Sequence, residues 1–260
     1  MTRSIFLDID GTLVSLKTHR IPSSTVEALS QAKANGVGIY ISTGRPLPII
    51  TNLGDIEHLI DGYITTNGAL CMAGDKTVCK TPVDENDADT LLEDARRNDY
   101  TCLVVGERDI VLFNPKEIFD QVFRQELNVT EIDTTKPAGT LRGQRILQLS
   151  PFISAAHEQE IMLKMPKCVS GRWHPAFTDI TSSDADKGNG LARMAEFLGL
   201  DISETMAFGD GGNDISIIRK AGVGIAMGNA GDNVKAAADY ITTSVDDDGI
   251  RNALRHYRII

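Results

Sequence analysis

The sequence predicts an α/β fold in which a parallel β-sheet with covering helices is interrupted by an inserted α+β domain. Three observations lead to this prediction. Short β-rich runs alternate with amphipathic stretches near both ends of the chain, which is typical of parallel strands joined by crossover helices. The middle of the chain departs from this alternation. The length of 260 residues suits one large domain accompanied by a smaller one.

The N-terminal part supplies the first elements of the predicted sheet. A strand is predicted for Ser4–Leu7, which is β-rich and apolar. A helix is predicted over residues 22–35, because proline lies at its start, apolar residues recur at helical spacing and Gly36 follows as a stop. Residues 37–41 and 62–66 are two further β-rich runs, and both are closed by polar residues.

The alternation resumes near the C-terminus. Apolar residues recur on one face of residues 190–198, and Gly199 follows as a stop signal for this predicted helix. The other elements predicted here are strands at 205–208 and 223–226 and helices at 213–221 and 234–239.

The segment 84–183 is predicted to be the inserted domain, with residues 1–83 and 184–260 forming the core. Its order of elements is helix, two strands, helix, strand, helix and strand. The first two strands, at 103–105 and 110–113, are separated by a polar stretch that is typical of a hairpin turn. The other elements predicted in this segment are helices at 84–98, 115–127 and 155–165 and strands at 145–149 and 177–181.

Composition excludes some classes of partner. The net charge is −10, from 36 acidic and 26 basic side chains, which disfavours nonspecific binding to nucleic acids or membranes because both are polyanions. The four cysteines form no C-x-x-C pair, and we expect reduced, mostly buried thiols. The apolar run before Asp8 is too short for a signal peptide, so a cytoplasmic location is expected. The oligomeric state stays open.

Polar clusters follow four of the predicted core strands. They occupy residues 8–12, 43–45, 67–68 and 209–214. Each cluster by itself could be turn chemistry, since Asp, Asn and Gly are favoured in loops. Ligands bind at the carboxyl edge of open parallel sheets, so four clusters in one sheet predict a common site there.

The acidic residues of these clusters predict a divalent cation. Asp8 and Asp10 point along similar directions from one strand end, and Asp210 and Asp214 add further negative charge. Two unit charges 4 Å apart repel by about 4 kcal/mol at an effective dielectric constant near 20. Carboxylate oxygens without His or thiolate ligands suit Mg²⁺. A phosphate ester could share this cation and also bind Lys187.

In order and spacing, these motifs resemble those of the haloacid dehalogenase-like phosphatase superfamily, in particular its Cof-type branch with a class IIB cap. Residues 8–12 match the first motif, 43–45 the second, 187–188 the third and 209–214 the fourth. The resemblance spans the whole chain, and the first and fourth motifs are its most specific part. It implies a Rossmann-like core with an α/β cap, and a Mg²⁺-dependent phosphatase that forms an aspartyl phosphate.

The resemblance also implies a role for each matching residue. Asp8 is the expected nucleophile and Asp10 the general acid and base, while Asp8, the Asp10 carbonyl and Asp210 hold Mg²⁺. The expected binding residues of the transferring phosphoryl group and the substrate are Thr43, Lys187, Gly44, Arg45 and Asn67. Asn213 and Asp214 are expected to orient Lys187 and metal-bound waters.

The inserted segment offers three further candidates for substrate binding. Arg172 and Trp173 could stack on or hydrogen-bond a sugar, and Asp179 lies on the predicted strand that leads back to the core. Each could equally be a packed residue of the inserted domain.

The expected partner is a small phosphate ester, and a hexose phosphate is the first choice because the nearest resemblance is to hexose-phosphate phosphatases. Two alternatives stay open. A phosphomutase or phosphotransferase would use the same phosphoenzyme and differ only in excluding water. A noncatalytic phospho-ligand sensor would not benefit from Asp10 beside a long-lived phosphoaspartate.

Overall fold

The computed structural model describes residues 2–127, 129 and 132–260 and divides the chain into two units. The first unit contains the residues up to Arg45, Ile50–Lys80 and Asp186–Ile260, and the second contains Pro46–Ile49 and Thr81–Ala185. Apart from Pro46–Ile49, the chain leaves the first unit after Lys80 and returns to it after Ala185. The crossings predicted from the sequence follow residues 83 and 183.

The strands and helices are numbered here in chain order. The strands are β1 (Ser4–Leu7), β2 (Gly38–Ser42), β3 (Gly62–Thr65), β4 (Leu70–Ala73), β5 (Lys76–Lys80), β6 (Cys102–Gly106), β7 (Ile110–Phe113), β8 (Ile146–Pro151), β9 (Cys168–His174), β10 (Phe177–Ser182), β11 (Thr205–Gly209), β12 (Val223–Ala226) and β13 (Tyr240–Ile241). The helices are α1 (Ser23–Ala34), α2 (Glu85–Arg97), α3 (Glu117–Phe119, continued by the π-helical Asp120–Glu126), α4 (Ala155–Met162), α5 (Lys187–Leu198), α6 (Ile215–Lys220), α7 (Asp232–Lys235) and α8 (Gly249–His256).

The first unit is built on an eight-stranded sheet with the order β13-β12-β11-β1-β2-β3-β4-β5. The six strands from β13 to β3 are parallel, and β4 and β5 continue the sheet as antiparallel strands. Strand β1 lies between β2 and β11, so the chain proceeds to both sides of it. This reversal of strand order at β1 is where open parallel sheets bind ligands, at their carboxyl ends.

Helices cover both faces of this sheet. On one face, Leu29 of α1 and Leu254 of α8 are buried together with the Ile5 and Leu7 side chains of β1. On the other face, Leu191 of α5 is buried with Phe6 of β1. Because successive side chains of a strand point to opposite faces, the apolar run of β1 contributes to both cores.

The second unit has its own five-stranded sheet, with the order β7-β6-β8-β10-β9. Every pairing in it is antiparallel. A separate apolar core contains Leu91 of α2, Ile161 of α4, Leu149 of β8 and Ile180 of β10, so these two helices pack on one face of the sheet.

The predicted α/β fold is confirmed, but several element predictions were wrong. Strands β4, β5, β9 and β13 were not predicted, and Arg172 lies on β9. The helix predicted at 234–239 is shorter and earlier, at Asp232–Lys235. The helix predicted at 213–221 begins as a 3₁₀ turn and becomes α-helical only at Ile215.

Two further expectations concern the chain as a whole. The four cysteines are free thiols, and Cys79 is the one that is not fully buried. Among the described residues, no helix has the combined length and apolar character needed to cross a bilayer.

Candidate active site

The site is assembled at the carboxyl ends of two neighbouring parallel strands. Strand β1 ends at Leu7 and is followed by Asp8, while β11 ends at Gly209 and is followed by Asp210. The register pairs Leu7 with Phe208, and the Asp8 amide donates a hydrogen bond to the Phe208 carbonyl. Residues 202 positions apart are therefore adjacent because their strands pair in the sheet.

Lys187 links two acidic residues of the site. It is the first residue of α5 and has no solvent exposure. Its Nζ donates to Asp8 Oδ1 at 2.7 Å and to Asp214 Oδ1 at 2.6 Å. In the part of the chain that the structure describes, Asp8 Oδ2 accepts no hydrogen bond. One oxygen of Asp8 is thus fixed by a cation while the other is left for chemistry.

Asp214 is held by the backbone as well as by Lys187. Its Oδ2 accepts hydrogen bonds from the amides of Asp210 at 3.0 Å and Gly211 at 2.9 Å. A Cβ at Gly209 would lie 2.3 Å from the Asp214 Cβ, which no side chain can tolerate. Both oxygens of Asp214 are therefore occupied, and the glycine before Asp210 is required by the fold of this loop.

The turn formed by the first motif, residues 8–12, contacts Asp210. Thr12 Oγ1 donates to Asp210 Oδ1 at 2.8 Å. Gly11 has a φ of 87°, in the left-handed region that glycine adopts without strain, and a Cβ there would lie 2.2 Å from Asp210 Oδ2. Asn229, in the loop after β12, donates to the Gly11 carbonyl at 2.9 Å and to Asp210 Oδ2 at 3.3 Å.

The electrostatics of the site reflect crowded negative charge. Burial raises the pKa of Asp8 well above its usual range, and the nearby Asp214 and Asp210 carboxylates raise it further against the opposing effect of Lys187. Burial also raises the pKa of Asp210 to about 6. For Lys187, burial alone would lower the pKa, but the Asp214 and Asp8 carboxylates outweigh it and raise the pKa above its ordinary value.

These carboxylates fit a hard divalent cation. Asp8, Asp210 and Asp214 each offer an oxygen, and the three oxygens lie within 4.8 Å of one another. Three ionised carboxylates with one ammonium group leave an excess of two negative charges. Burial and, after it, the neighbouring carboxylates raise the pKa values of Asp8 and Asp210, so their ionised forms are disfavoured in the absence of a cation. Oxygen donors without imidazole or thiolate suit Mg²⁺. Asp8 and Asp210 are the better direct ligands, because Asp214 is fully buried and its oxygens are held by Lys187 and two backbone amides, whereas, among the residues described, Asp8 keeps one oxygen without a hydrogen bond and Asp210 is only half-buried.

Asp10 lies beside this group and is paired with Arg45. Arg45 Nε donates to Asp10 Oδ2 at 2.7 Å and Nη2 donates to Oδ1 at 2.8 Å. Such two-pronged pairing fixes both the position and the plane of the carboxylate. The group of three carboxylates contains the predicted Asp8, Asp210 and Asp214 but not the Asp10 carboxylate, and the Asp10 backbone carbonyl stays a predicted ligand.

Hydrogen bonds connect the other predicted site residues of the first unit to one another. The Arg45 amide donates to Thr43 Oγ1 at 3.1 Å, and the Asn67 amide donates to the Thr43 carbonyl. Asn213 Nδ2 donates to Asn67 Oδ1 at 3.0 Å. A Cβ at Gly44 would lie 3.1 Å from Asn67 Oδ1, so glycine there lets the two loops approach.

The three candidate substrate-binding residues of the inserted segment, Arg172, Trp173 and Asp179, belong to the second unit. Arg172 donates to Glu158 Oε2 at 2.6 Å and to backbone carbonyls that include Ile153, so its guanidinium is engaged inside its own unit. Asp179 is buried in the second sheet, where Ser150 Oγ donates to it at 2.6 Å. The side chain of Trp173 lies outside the described part of the chain. Substrate contacts of these residues stay predictions.

Two residues at the site were not singled out from the sequence. Thr12 lies within the first motif, at residues 8–12, but no role is predicted for it from the sequence. Asn229 was not predicted. It follows the predicted strand at 223–226, just as the other polar clusters follow their strands. Its oxygen accepts from the Val245 amide at 3.0 Å, which fixes its amide nitrogen toward Gly11 and Asp210.

The chain is similar to known proteins over its whole length. The family described as haloacid dehalogenase-like hydrolase matches residues 5–254. The solved structure of the HAD subclass IIB sugar phosphatase BT4131 is 43% identical, covers 100% of both chains and has a TM-score of 0.91. The structure of BT1666 from Bacteroides thetaiotaomicron, described among HAD phosphatases, is 31% identical over 100% of this chain and 96% of that chain, with a TM-score of 0.88.

A curated relative carries a phosphatase name as well. The 5-amino-6-(5-phospho-D-ribitylamino)uracil phosphatase YcsE of Bacillus subtilis is 28% identical over 97% of this chain and 94% of its own length. The resemblance drawn from the motifs is confirmed, since the family match extends over nearly the whole chain. This protein belongs to the haloacid dehalogenase-like hydrolase family and is a phosphatase related to the subclass IIB sugar phosphatases.

Proposed function

We propose that this protein is a Mg²⁺-dependent phosphatase that hydrolyses sugar phosphates through an aspartyl phosphate on Asp8. The observation that carries the proposal is the arrangement of Asp8 and Lys187. The buried ammonium group holds Asp8 Oδ1 at 2.7 Å, while Oδ2 accepts no hydrogen bond from the described residues. A carboxylate held in this way is an oriented nucleophile.

Mg²⁺ would be held by Asp8 and Asp210, with the backbone carbonyl of Asp10 as a third protein ligand. When bound, it would neutralise the excess negative charge of the site and so allow an anionic phosphate ester to approach Asp8. Asp214 acts through Lys187, because it fixes the ammonium group between the two carboxylates.

The first step transfers the phosphoryl group to the protein. Asp8 Oδ2 attacks phosphorus, the bond from phosphorus to the ester oxygen breaks, and Asp10 donates a proton to the departing alcohol. Arg45 would have to share Asp10 with the substrate in this step, since it occupies both carboxylate oxygens in the structure. We therefore assign Arg45 the role of holding Asp10 toward the leaving group and orienting it.

The second step releases phosphate. Asp10, now ionised, takes a proton from water as the water oxygen attacks phosphorus, and the bond from phosphorus to Asp8 breaks. Inorganic phosphate leaves, and both carboxyl groups return to their starting forms. Throughout, Lys187 and Thr43 bind the phosphoryl oxygens, and Asn67 faces the leaving group.

The proposed roles of the two parts of the chain follow from where the catalytic residues lie. All residues assigned to the chemistry belong to the first unit. We assign residues 1–83 and 184–260 to a catalytic core and residues 84–183 to a cap. The proposed sugar phosphate substrate rests on the similarity to a sugar phosphatase at 43% identity over the whole chain. A hexose phosphate is the first candidate.

The test is the release of inorganic phosphate from a panel of hexose, pentose and polyol phosphates, with MgCl₂ or with excess EDTA. We expect turnover of at least one sugar phosphate with Mg²⁺ and none after chelation. Phosphate release that is unaffected by EDTA would contradict the metal dependence. An isomerised sugar phosphate with little free phosphate would instead show a phosphomutase.

A further inference from the structure

Two cysteines lie directly opposite each other on neighbouring strands, in a part of the first unit that the proposed chemistry does not use. The antiparallel register of β4 and β5 pairs Cys71 with Cys79. Residues that face each other in this way have Cα atoms about 4.5–5.5 Å apart, which lies within the range that a disulfide spans. We propose that Cys71 and Cys79 form a reversible disulfide when the protein meets a peroxide, so that this strand pair is a thiol-oxidation site.

The two thiols differ in access, which gives them different parts in the reaction. Cys71 has no solvent exposure, and its Sγ lies 3.9 Å from the Gly68 carbonyl and 3.3 Å from where a Cβ of Gly190 in α5 would be. Cys79 is half-buried and lies on β5, the last strand of the sheet. A peroxide can therefore reach Cys79, while Cys71 is placed behind it as the partner thiol.

The surroundings of Cys79 favour its reactive form. A hydrogen bond from the Cys71 thiol, together with the Arg193 guanidinium, lowers the pKa of Cys79 to about 7 against the opposing effect of burial. The thiolate is the form that reacts with peroxides, so a substantial fraction of Cys79 is ready to react near neutral pH.

The chemistry balances with a peroxide as the oxidant. The Cys79 thiolate attacks one peroxide oxygen, the O–O bond breaks, and sulfenic acid and hydroxide are formed. The Cys71 sulfur then attacks the Cys79 sulfur, the S–O bond breaks, and water leaves as the disulfide forms. Two thiols are oxidised by two electrons, and the peroxide is reduced. A dithiol such as dithiothreitol reverses the reaction by exchange.

The local structure can accommodate the new bond. Strand β5 has a partner on one side only, so it can shift without breaking a second ladder. A register irregularity between Cys71 and Met72 already interrupts regular pairing next to the cysteines. Bulged edge strands adjust at lower cost than strands in the middle of a sheet.

The other two cysteines provide internal controls. Cys102 and Cys168 lie in the second unit and are buried. Burial raises the pKa of Cys168 to about 12 and raises that of Cys102 as well, so both remain protonated and unreactive.

The experiment treats the full-length protein with a slight excess of hydrogen peroxide and follows intact mass, thiol content after denaturation, and tryptic peptides. Trypsin cleaves after Lys76 and Lys80 and so puts Cys79 on a short peptide apart from Cys71. We expect the loss of two thiols, a mass decrease of two hydrogen atoms and a cross-link between these two peptides. Dithiothreitol should restore all four thiols.

Variants make the assignment specific. Cys79→Ser should abolish the cross-link, while the matched Cys168→Ser should leave it unchanged. The wild-type measurement does not depend on either variant folding. Irreversible oxygen addition at Cys79 without a cross-link, a Cys79-linked dimer, or preferential loss of Cys102 and Cys168 would each overturn the proposal.

Discussion

At the scale of single residues, Lys187 has the largest predicted effect. It is a fully buried ammonium group between the Asp8 and Asp214 carboxylates. Lys187→Met would leave two buried carboxylates without their cation, which typically costs about 3–5 kcal/mol in unfolding free energy. We expect a loss of this size in urea denaturation, together with loss of phosphate release.

Lys17 is a matched control for this substitution. Its ammonium group also contacts a carboxylate, that of Asp246 at 2.8 Å, but its side chain is 81% exposed. Lys17→Met should leave both stability and turnover close to wild type. Equal destabilisation by the two substitutions would show that burial of the Lys187 cluster is not what stabilises the protein.

Arg45 is the second residue whose geometry predicts a measurable effect. It makes two parallel hydrogen bonds to Asp10, and lysine cannot reproduce both. Losing one charge-assisted hydrogen bond costs about 1.5–3 kcal/mol, so we expect Arg45→Lys to lower kcat/KM by about 10- to 100-fold. Steady-state kinetics on the best substrate of the panel provide the measurement.

Arg172 gives the contrast to Arg45. Its guanidinium binds Glu158 and backbone carbonyls of the second unit. Arg172→Lys should therefore lower stability more than turnover. If Arg172→Lys impairs turnover as much as Arg45→Lys while Tm is unchanged, Arg172 contacts the substrate after all.

At the scale of elements, helix α5 determines where Lys187 lies, and its fit against the sheet depends on Gly190. A Cβ at Gly190 would lie 2.7 Å from Ile64 and 3.3 Å from the Cys71 sulfur. We expect Gly190→Ala to destabilise the protein by about 1–2 kcal/mol, because overpacking outweighs the better helix propensity of alanine. Turnover should fall too, since the helix carries Lys187 at its first position.

Gly54 is the control for this prediction. A Cβ there would meet nothing within 4 Å, and its backbone is not in the left-handed region. Gly54→Ala should change unfolding free energy by less than about 0.5 kcal/mol. Denaturant titrations of the two variants decide the point, and equal stabilities would contradict the close packing of α5 on the sheet.

Elements with continuous or regularly spaced apolar residues could be predicted from the sequence, whereas strands with mixed residues could not. Strands β1 and β11 are buried on both faces, so their runs are continuous and easy to recognise. Strand β5 lies at the sheet edge with polar and apolar residues mixed, and β9 is interrupted by Gly171. The turn at Gly74 was the available signal for the β4–β5 hairpin.

At the scale of the whole molecule, the buried carboxylates of the site link the free energy of unfolding to pH and to metal binding. The folded-state pKa of Asp210 is raised from 3.8 to about 6, and that of Asp8 is raised as well. Between pH 3.8 and about 6, the metal-free folded protein therefore binds more protons than the unfolded chain. Its free energy of unfolding is then larger at lower pH and falls as pH rises through about 6.

Mg²⁺ should reverse this loss, because it binds the ionised carboxylates of the folded state. We expect MgCl₂ to raise Tm relative to EDTA by several degrees at about pH 7.5 and by much less at about pH 5. Asp210→Asn should reduce the gain at the higher pH. A Tm that is equal with and without Mg²⁺ at both pH values would contradict a cation site among these carboxylates.

The location of the site could be predicted from the sequence because strand ends of one parallel sheet must meet at one edge. Asp8, Lys187, Asp210 and Asp214 come together for that reason. The partner of each side chain could not be predicted, because hydrogen bonds depend on loop geometry. The pairing of Arg45 with Asp10 is such a case.

The central claim is that Asp8 carries the phosphoryl group, and trapping that intermediate tests it most directly. Wild-type protein mixed with its best substrate and Mg²⁺ is quenched in acid within the first turnover, and the peptide containing Asp8 is weighed. We predict that this peptide gains the mass of one phosphoryl group, and that Asp8→Asn gains none and releases no phosphate. Full phosphate release by Asp8→Asn, or a phosphoryl group on another residue, would contradict the account.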